Sequence, residues 1–340
     1  MSNQTARRFA YVSCADSREI LVLELGGATG DLALVQQVPT AGVVMPMASS
    51  PDRRRLYAAL RSAPYRVDSY AIDTGSGQLS LLGHASLPES TPYISLDRTG
   101  NHLLSASYGA HKVMVGRVNF DGVAQTPHQV LATEPNAHAV VVDPSNCFAF
   151  VPCLGGHAVL QYRFDEADST LRPNTPPRVA VRHGAGPRHM VFHPDGSRAY
   201  LINELDATVV VFAFDGVTGT LEAIQTVSAM PPGFPEAPWA ADIHLTPDGR
   251  FLYTSERRSS TLVMFAVGAD GCVGAATFHP TEREPRGFAI DPSGRYLLAV
   301  GQASHSMTVY AIDANDGGLT ELKKYAMGRN PNWVEIVTLP

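Results

Sequence analysis

Only four cysteines stand in the 340 residues, Cys14, Cys147, Cys153 and Cys272, and no two have the C-x-x-C spacing. A chain of this length can bury a large core without covalent staples, so reduced thiols are expected and a disulfide scaffold is excluded. No apolar run approaches the roughly 18 residues of a membrane-spanning helix. The opening MSNQTARRFAYVS has no apolar stretch of the kind that marks a secretion signal, so a cytoplasmic protein with no membrane partner is expected. There is no long basic run, and 26 Lys and Arg against 32 Asp and Glu leave a net charge of −6, which argues against nucleic acid as a partner. Sustained helical periodicity is also missing. With 44% hydrophobic and 17% charged residues, the chain must nevertheless fold around a substantial core, and an all-β architecture is what remains.

A repeat organises that core. A short apolar strand, a Pro/Asp/Gly turn and a second apolar strand recur as MASSPDRRRLYAAL, YISLDRTGNHLLSAS, AVVVDPSNCFAFVPC, MVFHPDGSRAYLIN, IHLTPDGRFLYTSE and FAIDPSGRYLLAVG. The same turn position is held by Pro51, Arg98, Pro144, Pro194, Pro247 and Pro292, at spacings of 47, 46, 50, 53 and 45. That period is the length of a four-stranded propeller blade. Two more strand-like runs complete each unit, as in TVVVFAF (208–214) and LEAIQTV (221–227). The ends supply a seventh unit: NPNWVEIV as innermost strand, with RFAYVS, EILVLEL and LALVQQV outside it. Pairing the two ends closes the ring and removes its open edges. The expectation is one seven-bladed β-propeller domain over 1–340, with MPPGFPEAPWAAD (230–242) as its longest irregular insertion.

The repeat also turns sequence offsets into positions in space. Six residues before each turn position stand Met45, Pro92, His138, Arg188, Ala241 and Arg286, and Asn332 aligns with them on the terminal strand. Ten residues after it stand Arg61, Tyr108, Leu154, Glu204, Arg257 and Gln302. The start of the first strand and the end of the second lie at one face of the ring. Four arginines, one histidine and one glutamate therefore converge on one channel mouth of an acidic protein. Arginine suits forked hydrogen bonding to carboxylate or phosphate, so an anionic small molecule is the expected ligand.

Other motifs carry less. His189 and His193 share a strand face, but His193 leads into the turn at the far end, so no set of three or four converging metal ligands forms. Asp242 and His244 could line the channel. LGGATGD and GAGPRH open no helix after a strand, and no G-x-S-x-G elbow is present, which excludes nucleotide loops and a serine triad. No cofactor and no metal is expected.

The phrases GAGPRHMVFHPDGSRAYLINEL, WAADIHLTPDGRFLY, PTEREPRGFAIDPSGRYLLAVGQASHSMTVY and MPMASSPDRRRLYAALR resemble those of the bacterial propeller-type 6-phosphogluconolactonases, within a superfamily of seven-bladed lactonases and carboxymuconate-cyclising enzymes. The resemblance runs over essentially the whole chain. It implies a cytosolic hydrolase that opens 6-phospho-glucono-1,5-lactone in the pentose phosphate pathway. The His, two Arg and Glu that act in the carboxymuconate branch correspond to His138, Arg188, Arg286 and Glu204. Arg61 and Arg257 match arginines of the bacterial lactonase pattern.

The expected mechanism has His138 as base, with Glu204 orienting it or sharing the role, or the reverse assignment with Glu204 as base. Arg188 and Arg286 face the carbonyl oxygen, and Arg61 and Arg257 grip the remote anionic group. Tyr108, Gln302, Asn332 and His189 complete the expected substrate-binding set. The expected partner is a small anionic sugar lactone, the protein itself being a monomer or weak homo-oligomer. Lactones of uronic or aldaric acids would meet the same arginines with a carboxylate. A non-catalytic propeller scaffold is the remaining reading.

Overall fold

The computed structural model describes residues 6–340; Met1–Thr5, where the segment read as lacking a secretion signal begins, lie outside the described residues. Twenty-eight strands form seven four-stranded antiparallel sheets, and no helix occurs among the described residues. Six sheets run from inside outward in chain order, as in Val44–Ser49, Arg55–Leu60, Arg66–Ile72 and Leu79–Ser86. The seventh is made by both ends. Pro331–Leu339 is its innermost strand, paired antiparallel with Arg7–Cys14, and Glu19–Leu25 and Leu32–Pro39 lie outside. The seven-bladed ring closed by its termini is as the repeat predicts.

The recurrent turn has a simple local cause. In HPDG the amide of Gly196 donates to the carbonyl of His193 at 2.9 Å, with Gly196 at φ +72°, a left-handed conformation that costs glycine little. Asn146 and even Arg53 take positive φ at the same place. The acid before the turn ties the hairpin down: Asp143 Oδ1 accepts from the amides of Cys147 and Phe148 at 3.0 and 2.8 Å.

Blades adhere through apolar faces and one repeated polar staple. Apolar residues of adjacent sheets pack into continuous clusters, such as Tyr200, Ile202, Val209 and Val211 against Ile243, Leu252, Val263 and Phe265. A tyrosine of the second strand donates its hydroxyl to a glycine carbonyl in the outer turn of the following blade. The pairs are Tyr11 to Gly77 (2.9 Å), Tyr57 to Gly122 (3.0 Å), Tyr200 to Gly271 (2.9 Å) and Tyr253 to Gly317 (2.6 Å). Burying a hydroxyl without a partner would cost on the order of 1–3 kcal/mol, so each staple fixes the stagger between neighbours. At Gly77, φ +73°, a Cβ would stand 2.3 Å from Phe9; only glycine lets the blades approach this closely.

Candidate active site

The side chains at the mouth are aimed there by β-bulges. On Pro187–Phe192 the register passes from Pro187↔Asn203 to His189↔Ile202, leaving Arg188 as the extra residue. The same slip leaves out Arg286, between Pro285↔Gly301 and Gly287↔Val300, and Asn332, between Pro331↔Cys14 and Trp333↔Ser13. One extra residue also falls between Ala240↔Glu256 and Ile243↔Thr254, where Ala241 and Asp242 stand. A bulge breaks the ladder for one residue and turns its side chain away from the pleat, here repeatedly at one depth of the channel.

Glu204 is the hub. Its Oε2 accepts from Arg188 Nε at 2.7 Å and lies 3.0 Å from Arg257 Nη2, and its Oε1 accepts from the Trp239 indole at 3.2 Å. Arg257 also donates to the carbonyls of Trp239 and Ala240, at 3.0 Å each, and its guanidinium carbon stands 3.8 Å from the Trp239 ring centre. Arg188 donates to the carbonyl of Ala241. Both arginines are buried, at 1% and 2% exposure, an unusual place for charges whose paired carboxylate is shared.

Arg286 differs from them. It makes no hydrogen bond and no ion pair among the described residues, yet feels the charges of Arg188, Arg257 and Arg61. Burial, and then those three cations, push its pKa down strongly. Because a guanidinium stays protonated, that cost appears as a demand for an anion. Arg61 likewise has no carboxylate: Nε donates to Ser90 Oγ at 3.3 Å, and Nη1 lies 3.3 Å from Met45 Sδ. Burial, followed by Arg188, lowers it too. Burial alone would raise the Glu204 carboxyl, but Arg188, Arg257 and Arg286 outweigh it and hold Glu204 below its ordinary range.

Two imidazoles lie beside the cluster. His138 packs against Tyr108, with ring centres 5.8 Å apart, and against His189 at 5.1 Å. Burial, reinforced by Arg188, keeps it neutral, and its Nδ1 is buried with no hydrogen-bond partner. His189 Nδ1 stands 2.8 Å from Asp242 Oδ1, and Asp242 Oδ2 lies 3.2 Å from His244 Nε2. Deeper in the channel, Asp242, His244, Tyr93, Trp333 and Glu335 line a cavity of about 200 Å³.

The family model for the seven-bladed β-propeller lactonases matches residues 9–336. The chain belongs to this family. It is 42% identical over 334 residues to the 6-phosphogluconolactonase of Pectobacterium carotovorum, covering 98% of this chain and 99% of that protein. It is 43% identical over 331 residues to the 6-phosphogluconolactonase of Cronobacter sakazakii, covering 97% and 98%. The solved structure of the periplasmic gluconolactonase PpgL of Pseudomonas aeruginosa superposes with a TM-score of 0.91 at 30% identity, over 98% of this chain and 100% of that one. The protein is thus a lactonase, a carboxylic ester hydrolase acting on a sugar lactone.

Within this lactonase the structure brings together His138, Arg188, Glu204, Arg257, Arg286, Arg61, His189 and Tyr108. It redistributes their expected tasks. Arg257 is stacked, paired and buried, so it cannot reach out to a remote phosphate or carboxylate; with Arg188 it frames Glu204 instead. Glu204, engaged at both oxygens, does not touch His138 and does not orient it. Asn332 is 1% exposed and its amide is taken up by Asn330 and Ser13, at 3.0 and 3.5 Å, where the ring closes. Gln302 donates to Asn330 Oδ1 at 2.7 Å. Trp239, Tyr93, Trp333 and Glu335 were not singled out by the sequence offsets. One signal was available, since both tryptophans of the chain lie at the channel end of innermost strands, Trp239 immediately before Ala240–Leu245 and Trp333 near the start of Pro331–Leu339.

Proposed function

We propose that the lactonase opens 6-phospho-glucono-1,5-lactone to 6-phosphogluconate at this mouth. The observation that carries the reading is the charge imbalance: four arginines face one carboxylate, and among the described residues neither Arg286 nor Arg61 is bonded to a carboxylate. A phosphorylated sugar lactone supplies that anion. Arg61 and Arg286 bind the phosphate or the carbonyl oxygen as negative charge develops on it, where a preorganised donor is worth about 3–4 kcal/mol. Arg188, Arg257 and Glu204 hold the frame, and Glu204, ionised and doubly engaged, is no base. A neutral imidazole of the His138 and His189 pair accepts the proton of the attacking water, a contribution of about 100- to 10,000-fold. The relatives named 6-phosphogluconolactonase support a phosphorylated substrate and, with it, a cytoplasmic role in the pentose phosphate pathway.

The test is a hydrolysis panel on purified protein, each rate corrected for spontaneous opening. Freshly made 6-phosphogluconolactone is set beside glucono-, glucaro- and galactaro-1,5-lactones. A kcat/KM at least a hundredfold higher for the phosphorylated lactone is expected. Preference for the aldaric lactones would move the substrate to a carboxylated sugar, and activity on none would overturn the reading.

A further inference from the structure

Two imidazoles lie at the reacting end of the site, and their surroundings are not equivalent. His138 has aromatic neighbours on two sides and an orphaned Nδ1, so no hydrogen bond there fixes its tautomer or its ring orientation. His189 is held on every side. Asp242 is ionised: burial would raise its carboxyl, but His244 and His189 pull it well below its ordinary range. An ionised carboxylate can only accept, so at 2.8 Å the proton must sit on His189 Nδ1, and the lone pair stands on Nε2. Asp242 in turn is immobilised. Oδ1 also accepts from the Ile243 amide at 3.0 Å, and Oδ2 from His244 and the Phe288 amide at 3.2 and 3.4 Å. Tyr93 packs edge-on to the His189 ring with centres 5.0 Å apart, and Trp333 closes the other side at 6.0 Å. Arg188 Nη1 lies 3.3 and 3.2 Å from Nδ1 and Nε2, equally close to both and so not committed to the Nε2 lone pair.

We propose that His189, oriented by Asp242, is the proton acceptor in lactone opening, with Asp242 as its positioning residue and His138 as a packing wall. The inference rests on the lactonase reading above. His189 Nε2 takes one proton from water as the water oxygen bonds to the lactone carbonyl carbon. When the ring C–O bond breaks, the imidazolium returns that proton to the leaving alkoxide, and the product is a hydroxy acid. A carboxylate that fixes the tautomer of a histidine base is the arrangement that preorganises hydrolases on unrelated folds.

The groups facing His189 are Arg188 on its own strand, Asp242 on the innermost strand of the next blade, and His138, Tyr93 and the charge of Arg286 around it. Replacing Asp242 by Asn removes the one anion among them that favours the imidazolium. The experiment measures kcat, KM and their pH profiles on the preferred lactone for H189Q, H138Q and D242N, with circular dichroism melts of each. H189Q is expected to lose at least a hundredfold in kcat and H138Q less than tenfold. D242N is expected to lose ten- to a hundredfold in kcat with KM within threefold, and to move the acid limb of kcat to lower pH. H138Q falling as far as H189Q, or D242N lowering only the melting temperature, would overturn the assignment. Wild-type protein inactive on every lactone would instead sink the underlying reading. H189N and D242E serve where H189Q or D242N does not fold: asparagine lacks the basic nitrogen, and glutamate restores the carboxylate and should recover part of the rate.

Discussion

Arg257 stacks on Trp239 with 3.8 Å between guanidinium carbon and ring centre, and the same indole donates to Glu204, the partner of Arg257. One aromatic side chain therefore fixes both members of a buried ion pair. Trp239→Phe keeps the stacking surface and deletes the hydrogen bond, whereas Trp239→Ala removes both. A cation over an aromatic face is worth about 0.5–2 kcal/mol, and the hydrogen bond to a charged group about 1.5–3. Activity should fall by a few-fold in the first variant and by more than tenfold in the second, measured as kcat/KM on the preferred lactone. Equal activity in the two would show that Trp239 acts only as a filler.

Arg286 and Arg188 should respond in opposite ways to truncation. Among the described residues Arg286 makes no hydrogen bond and no ion pair, and the like charges of Arg188, Arg257 and Arg61 outweigh the attraction of Glu204, so Arg286→Ala relieves repulsion. Its melting temperature is expected to hold or rise while KM for an anionic lactone rises at least tenfold. Arg188 is bonded to Glu204 and the Ala241 carbonyl, so Arg188→Ala leaves buried polar groups unpaired and lowers the melting temperature as well. Paired melting curves and steady-state kinetics separate the two.

Glu204 links the site to acid stability. Its carboxyl is held below the ordinary range in the folded protein, so the unfolded chain binds the proton more readily as pH falls. The stabilisation is complete above an unfolded value of about 4.3 and is lost as pH drops through the lower folded value. Glu204→Gln should cost about 3 kcal/mol at neutral pH. The gap from wild type should begin to narrow below about pH 4.3 and close only below the lower folded value, as read from urea melts across pH. A gap independent of pH would contradict the assignment.

The blades were readable from the sequence because the turn between the two inner strands demands unusual chemistry. Asp143 before the turn and Gly196 at its left-handed corner are each required by a hydrogen bond or a dihedral angle, so they leave a repeating mark. Arg188, Glu204, Arg257 and Arg286 followed by counting from that mark. The channel floor did not follow. Strand residues alternate sides with a period of two, and the one-residue bulge at Ala241–Asp242 resets that alternation without any sequence signature of its own. Asp242 and His244 were therefore candidates only, and Tyr93 and Glu335 looked like ordinary strand residues. Trp239 lies in the irregular 230–242 segment, where no periodicity applies. The partition between free and tied arginines was also illegible, since Arg257 and Arg61 occupy the same offset and differ only in what surrounds them.

The pH dependence should differ between free and occupied enzyme. In the free protein burial, and then Arg188, lower His189 to about 4 despite Asp242. An anionic lactone neutralises part of the arginine field and so raises the imidazole. The acid limb of kcat/KM, which reports the free enzyme, should therefore lie near pH 4, and the limb of kcat, which reports the complex, at higher pH. Coincident limbs would mean that the bound anion lies too far from the base to matter.

Closure by the termini should be indispensable to the ring but indifferent to where the chain starts. Pro331–Leu339 supplies Val334, Val337 and Leu339 to the apolar clusters on both sides and covers the inner edge of Arg7–Cys14. Deleting residues 331–340 exposes that edge and removes Trp333 and Glu335 from the channel, so loss of cooperative unfolding and aggregation are expected. Arg7 pairs with Leu339, so a short linker can join the two terminal strands. Reopening the chain between Gly216 and Val217, both exposed in an outer turn, gives a permutant with every strand present. It should retain lactonase activity and a single melting transition. A truncated chain that melted as sharply as the permutant would show that the ring is held by its blade contacts alone.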